Sequence, residues 1–406
     1  MNARLAALQP YPFQKLAALL QGIAPPPDKT PIRLSIGEPQ HPAPAFVLDA
    51  LTRSLPSLST YPPTKASPEL RAAIAGWANR RFRLERQPLD PERHVLPVAG
   101  TREALFSIAQ AVVDGADGSA VVMMPNPFYQ IYEGAALLAG ARPYLLNTLE
   151  QNAFRMALDR VPDEVWRATQ LFYVCSPGNP TGAVLDLDDW RTLIELSQRY
   201  GFVIAADECY SEIYFDEARP PLGLLQAAEQ LGLRDYRNCL VFHSLSKRSN
   251  LPGLRSGFVA GDPNVLAAYF NYRTYHGCAL PPPTQAASIA AWNDETHVRA
   301  NRALYREKFD AVLEILDGVL PVRRPQAGFY LWPRTPIDDT VFARELYARE
   351  NVLVLPGSYL SRRADGVDPG ANRVRMALVA TLEECVEAAR RIRRFVQSLQ
   401  ESTPSR

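Results

Sequence analysis

The chain has 406 residues, more than one average domain needs and enough for two. Hydrophobic residues make up 47% and charged residues 21%, the balance of a soluble globular protein, and 44 basic against 43 acidic side chains leave a net charge of +1. That near-neutrality excludes bulk attraction to nucleic acid or an anionic membrane, and no run of about 18 apolar residues is present to span a bilayer.

The first residues, MNARLAALQPYPFQ, lack the basic segment and long apolar core of a signal peptide. The 36 prolines cluster in stretches such as APPPDKTP and LPPPTQ, which read as stiff loops. From residue 94 onward, short apolar runs alternate with amphipathic ones. HVLPVAG (94–100), AVVMMP (120–125), QLFYVCSP (170–177), FVIAADE (202–208), CLVFHS (239–244) and SGFVAGD (256–262) read as strands. Most lack polar alternation, as strands covered on both faces do. Between them DLDDWRTLIELSQRYG reads as a helix that starts at Asp186 and stops at Gly201. Strand–helix alternation predicts an α/β fold with a largely parallel sheet between helices. After about residue 290 the texture changes to a smaller α+β unit. It comprises a long helix over THVRANRALYREKFDAVLEIL, short strands in GFYLWP, NVLVLPG and RVRMALV, and a last helix from Thr381 whose RRIRR run reads as a solvated face. Five cysteines, an odd number with no C-x-x-C, argue against a disulfide framework and for a reducing cytoplasm. The five histidines lack zinc-ligand spacing, so no metal is expected.

In α/β sheets, ligands bind beyond the carboxyl ends of the strands. The first strand is followed by Ala99-Gly100-Thr101-Arg102 and a helix, which is either a simple cap or an anion site of N–H groups and a hydroxyl. The third is followed by GNPTG with Asn179, a rigid turn if nothing more. The fourth ends in Asp207, with Tyr210 three residues on; a buried carboxylate is costly unless paired, by a salt bridge or by a ligand. The fifth ends in Ser244, Ser246 and Lys247, and Arg255 comes soon after. Lysine is ordinarily solvated, but in a desolvated, cationic site its pKa falls and it becomes a nucleophile. Neither a G-x-G-x-x-G nor a P-loop sequence occurs. A ligand carrying an aldehyde, a phosphate and a ring nitrogen that seeks a carboxylate satisfies the whole set, and pyridoxal 5′-phosphate is such a ligand.

The chain resembles the fold-type I pyridoxal-phosphate aminotransferases of class I/II. The resemblance rests on SIGEP (35–39), TYPPTKASPELRAAIAGW (60–77), AGTREALF (99–106), PNPFYQIY (125–132), SPGNPTG (176–182), ADECYSEIYF (206–215), SLSKRSNLPGLRSG (244–257), LPGSYL (355–360) and RVRMAL (373–378). It implies a large domain over 46–290, with a mostly parallel seven-stranded sheet between helices, and a small α+β domain from 1–45 and 291–406. It implies that Lys247 bonds to the cofactor and moves protons, that Asp207 partners the ring nitrogen, and that Asn179 and Tyr210 bond the ring hydroxyl. Tyr129 would stack on the ring. Gly100, Thr101, Arg102, Ser244, Ser246 and Arg255 would hold the phosphate, and Tyr61 would reach it across the boundary of a homodimer with shared active sites. Arg375, with Gly37 and Asn179, would clamp the substrate α-carboxylate. YPFQKL, NPFYQIYEGAA, FHSLSKRSNLPGLRSGFVAGD and YRTYHG further resemble the subgroup acting on N-succinyl-diaminopimelate in bacterial lysine biosynthesis, with 2-oxoglutarate as the amino acceptor. A second cation is then expected for the donor's distal carboxylate, and Arg273 is the candidate. An aminotransferase for aspartate, alanine, acetylornithine or an aromatic amino acid, or a carbon–sulfur lyase, would keep the same cofactor residues.

Overall fold

A computed structural model describes residues 1–401. Its strands run in chain order β1 (Ile32–Arg33), β2 (Val95–Val98), β3 (Val121–Asn126), β4 (Arg142–Asn147), β5 (Thr169–Cys175), β6 (Val203–Asp207), β7 (Cys239–Ser244), β8 (Gly257–Gly261), β9 (Tyr330–Leu331), β10 (Val352–Leu353), β11 (Leu355–Pro356) and β12 (Val374–Ala377). Seven of them form one sheet in the order β2-β8-β7-β6-β5-β3-β4. Only β8 runs against its neighbours; the other pairings are parallel. The carboxyl ends of β2, β3, β5, β6 and β7 therefore share one edge, and the reversed β8 brings the residues just before it to that same edge.

Each residue of β2, β3, β6, β7 and β8 is buried. Successive residues feed opposite cores: Ile204 and Ala206 face one, Val203 and Ala205 the other. That double coverage is why these strands read as continuous apolar runs. β4 is the strand the sequence conceals. It sits at the edge, starts with exposed Arg142 and contains Pro143, and its burial is partial. The helix Leu187–Tyr200 begins where its chemistry dictates. Asp186 accepts from the N–H groups of Asp188 and Asp189 at 3.0 Å, Asp189 accepts from the Asp186 N–H at 3.0 Å, and Gly201 at φ 83° ends the helix.

A further core joins the two ends of the chain. β1 pairs in parallel with β10, and β9, β11 and β12 form a small antiparallel sheet. Tyr305, Phe309, Val312 and Leu316 of the helix Thr296–Leu316 pack there with Phe342, Leu346, Ile392 and Phe395. The proposed small domain would be built around this core, although Tyr210 and Ile213 enter it from the proposed large one; residues 402–406 of its expected range lie outside the described residues. The RRIRR run is not a wholly solvated face: Ile392 packs in this core, and one of its arginines turns inward as well. Arg391 is buried and donates to the carbonyls of Thr30 and Glu350, tying the last helix to the segment before β1.

Candidate active site

A cleft of about 530 Å³ opens at the carboxyl edge of the large sheet, where β9 and β12 face it. Its size is that of a small-molecule pocket. Each wall residue is placed by an element ending there. β2 gives way to Gly100, at φ 87°, and the helix Thr101–Val112, whose first N–H groups have no intrahelical partner. β3 leads to Tyr129 ahead of the helix Gln130–Ala139, and β5 leads to Asn179. β6 ends in Asp207, registered between Cys175 of β5 and Phe242 of β7. β7 ends in Ser244, whose Oγ accepts from the Ser246 N–H at 3.0 Å and sets the turn that carries Lys247. Arg255 precedes the reversed β8 and lines the same cleft. Gly37, Tyr330 and Arg375 close it from the second core. A Cβ on Gly37 would lie 2.0 Å from the Tyr330 hydroxyl and one on Gly100 2.3 Å from Arg255 Nη2, so a side chain at either place would displace a cleft residue, and the positive φ of Gly100 favours glycine besides.

The electrostatics favour a cofactor with mixed charge. Lys247 Nζ donates to the Gly37 carbonyl. Burial lowers its amine to about 8, Arg375 acting in the same direction against the carboxylates Glu38 and Asp207. Asp207 accepts from the Tyr132 hydroxyl at 2.7 Å and from the Cys209 N–H at 3.3 Å. Its partners are a phenol and an amide, not a cation, and burial pushes its carboxyl above the usual range. Arg375 donates to the Ser35 carbonyl at 2.9 Å and to Asn179 Oδ1 at 3.1 Å, and its guanidinium lies 4.6 Å from the centre of the Tyr330 ring. Its Nε is buried with no hydrogen-bond partner among the described residues. The Tyr210 and Tyr330 hydroxyls are 3.0 Å apart, and Thr101 Oγ1 lies 3.1 Å from Cys209 Sγ.

The structure therefore brings together Gly37, Thr101, Arg102, Tyr129, Asn179, Asp207, Tyr210, Ser244, Ser246, Lys247, Arg255 and Arg375, with Gly100 packed behind Arg255. Tyr61 is outside the cleft of its own chain and fully exposed. Arg273 is a correction. It is wholly buried away from the cleft, Nη1 donates to both carboxylate oxygens of Glu103 at 2.8 and 2.9 Å, and Nη2 donates to the Cys278 carbonyl at 2.7 Å. A guanidinium buried there and already paired with a carboxylate is not available to a substrate. Glu103, His276 and Cys278 lie close enough to share a cation, but Glu103 already serves Arg273. Sequence reasoning missed Tyr11, Glu38, Tyr132, Cys209 and Tyr330. Cys209, two residues beyond Asp207 in the same strand-end turn, and Glu38, next to Gly37, carried a local signal.

The family model described as "Aminotransferase class I and II" matches residues 29–392. The chain belongs to the class I and II aminotransferases. As a member of that family it depends on pyridoxal phosphate. Among its relatives, an LL-diaminopimelate aminotransferase of Desulforudis audaxviator is 31% identical, over 96% of this chain and 96% of that protein. Among solved structures, an aminotransferase from Neisseria meningitidis is 50% identical with a TM-score of 0.93, over 97% of this chain and 100% of the other. A probable N-succinyldiaminopimelate aminotransferase from Thermus thermophilus is 28% identical with a TM-score of 0.82, over 94% and 99%. This aminotransferase has a donor set that fits the cofactor. A lysine with a lowered pKa suits an aldehyde, a buried carboxylate without a cation suits a ring nitrogen, and a helix start with hydroxyls and Arg255 suits a phosphate.

Proposed function

We propose that this aminotransferase moves an amino group, reversibly, from N-succinyl-LL-2,6-diaminopimelate to 2-oxoglutarate, in the route to diaminopimelate and lysine. The observation that carries a donor rich in carboxylates is the cleft's supply of cations. Arg375 has an unpartnered Nε for the α-carboxylate, and exposed Arg102 hydrogen-bonds to the phenols of Tyr129 and Tyr11, at 2.7 and 3.4 Å, and to no carboxylate among the described residues. Its remaining N–H groups can receive the distal carboxylate that Arg273 cannot reach. The Thermus relative's name points the same way.

The residue roles are proposals from the same geometry. Pyridoxal phosphate, when bound, supplies a ring able to take up negative charge from the donor's α-carbon. Lys247 would hold it, and the same amine would move the proton on the donor's α-carbon. Asp207 keeps a proton on the ring nitrogen. Asn179 and Tyr210 would bond the ring hydroxyl, Tyr129 would stack on the ring, and the Gly100–Arg102 N–H groups, Ser244, Ser246 and Arg255 would take the phosphate. Arg375 fixes the α-carboxylate, with Gly37 and Asn179 beside it. We further propose a cytoplasmic homodimer in which Tyr61 enters the partner's site. Leu55, Leu58 and Tyr61, all exposed in the single chain, support such a contact.

A second reading is LL-diaminopimelate itself, which the curated relatives' names favour. Glu38, an exposed carboxylate on the cleft wall, would suit its free distal ammonium. Purified enzyme given 2-oxoglutarate and each donor separates the two. Faster glutamate formation with the succinylated donor supports the first reading. Faster formation with LL-diaminopimelate replaces it with the second, and neither donor reacting leaves only the family's general activity.

A further inference from the structure

We infer that Arg273 and Glu103 are positioning residues for the turn that grips the cofactor's phosphate, an inference that rests on the role proposed above for Gly100, Thr101 and Arg102. The turn is held through the main chain of Ala99. Its N–H donates to Glu103 Oε1 at 2.9 Å, and its carbonyl accepts from Arg255 Nη2 at 3.5 Å. Glu103 is the third residue of the helix Thr101–Val112, so its carboxylate folds back over the helix start. Left alone, a part-exposed glutamate would sample several rotamers. Arg273 removes that freedom by donating from Nη1 to both carboxylate oxygens.

Arg273 is itself fixed. Nη2 donates to the Cys278 carbonyl at 2.7 Å, and Nη1 lies 3.3 Å from the Tyr269 hydroxyl. That hydroxyl is 2.6 Å from Ser107 Oγ, which donates back to Glu103 Oε2 at 3.4 Å. Glu103 thus sits at the centre of a closed network. Neither Glu103 nor Arg273 lines the cleft, so the pair can act on a ligand only through the turn. Charge gives the arginine a second role. A bare carboxylate beside a helix start would repel a phosphate arriving at the same N–H groups. Arg273, with no exposed surface, neutralises it from behind while leaving the N–H groups free. Buried ion pairs are weak evidence for stability, because apolar replacements of similar volume are often neutral. The geometry points to placement of the turn.

The test compares how the full-length apoenzyme binds pyridoxal phosphate and pyridoxal, which differ in the phosphate alone, by fluorescence titration. A wild type without preference for the phosphorylated form refutes the phosphate role of the turn itself. Given that preference, the double variant Glu103→Leu, Arg273→Met removes the pair without stranding a charge. It should lose about tenfold or more of the preference, the scale of one charge-assisted hydrogen bond, while its thermal midpoint stays near wild type. Glu103→Gln, which keeps an acceptor for the Ala99 N–H, should retain the preference. A folded double variant with the wild-type preference overturns the inference. Should the double variant fail to fold, Glu103→Ala is read the same way.

Discussion

Arg375 and Arg273 are both buried, at 5% and 0% exposure, and the sequence offered both as carboxylate clamps. Their surroundings differ in one respect. Arg375 donates to a carbonyl and an amide oxygen, and no carboxylate among the described residues pairs with it. Arg273 is neutralised by Glu103 within the fold. Burial makes an arginine strong, but only an arginine without an internal counter-charge is a site for an anion. The same contrast holds for the carboxylates. Glu103 is matched by a cation, whereas Asp207 leans on a phenol and an amide and leaves room for a cationic ring.

The largest effect should come from the open carboxylate. Asp207→Ala should slow the donor half-reaction by roughly 10²–10³-fold, the scale of losing one preorganised electrostatic group, with the fold intact by circular dichroism. Single-turnover absorbance decides it, and a loss below tenfold would mean that Asp207 is as closed as Glu103. Arg375→Lys keeps the charge and removes the fork. It should cost about ten- to a hundred-fold in kcat/KM, mostly through KM, for donors of every side chain. Arg273→Met should do the opposite. It strands Glu103 and should lower unfolding stability by about 3 kcal/mol in denaturant titration, while donor KM stays put. A raised KM specific to long dicarboxylate donors would restore Arg273 as a clamp.

The smallest effect concerns pH. In the proposed scheme the nucleophile is the neutral amine of Lys247, and burial with Arg375 lowers that amine to about 8. Association of pyridoxal phosphate with apoenzyme should therefore quicken as pH rises through about 8 and level off above it. Arg375→Met should move the inflection upward, and Arg273→Met should leave it in place. Stopped-flow binding across the pH range distinguishes them.

The same division separates the residues the sequence revealed from those it concealed. Residues that act where a strand stops are local in the chain, so Asp207, Lys247, Asn179 and the Gly100 turn could be found from apolar runs and the few positions just beyond them. Partnerships across the fold could not. Tyr132 reads as a helix core aromatic, yet its hydroxyl reaches Asp207 from another element. Tyr330 sits in a two-residue strand of the second core, and Tyr11 precedes a short helix near the chain start. Arg273 misled for the same reason: the carboxylate that claims it is 170 positions away. The edge strand β4 escaped because partial exposure and a proline blurred its apolar run.

The central claim is that the carboxyl edge of the sheet is where the cofactor bonds, at Lys247. Borohydride reduction of the holoenzyme and subsequent peptide mapping test it directly. The account predicts the reduced cofactor on the peptide that contains Lys247 and on no other. A label on a different lysine would contradict it.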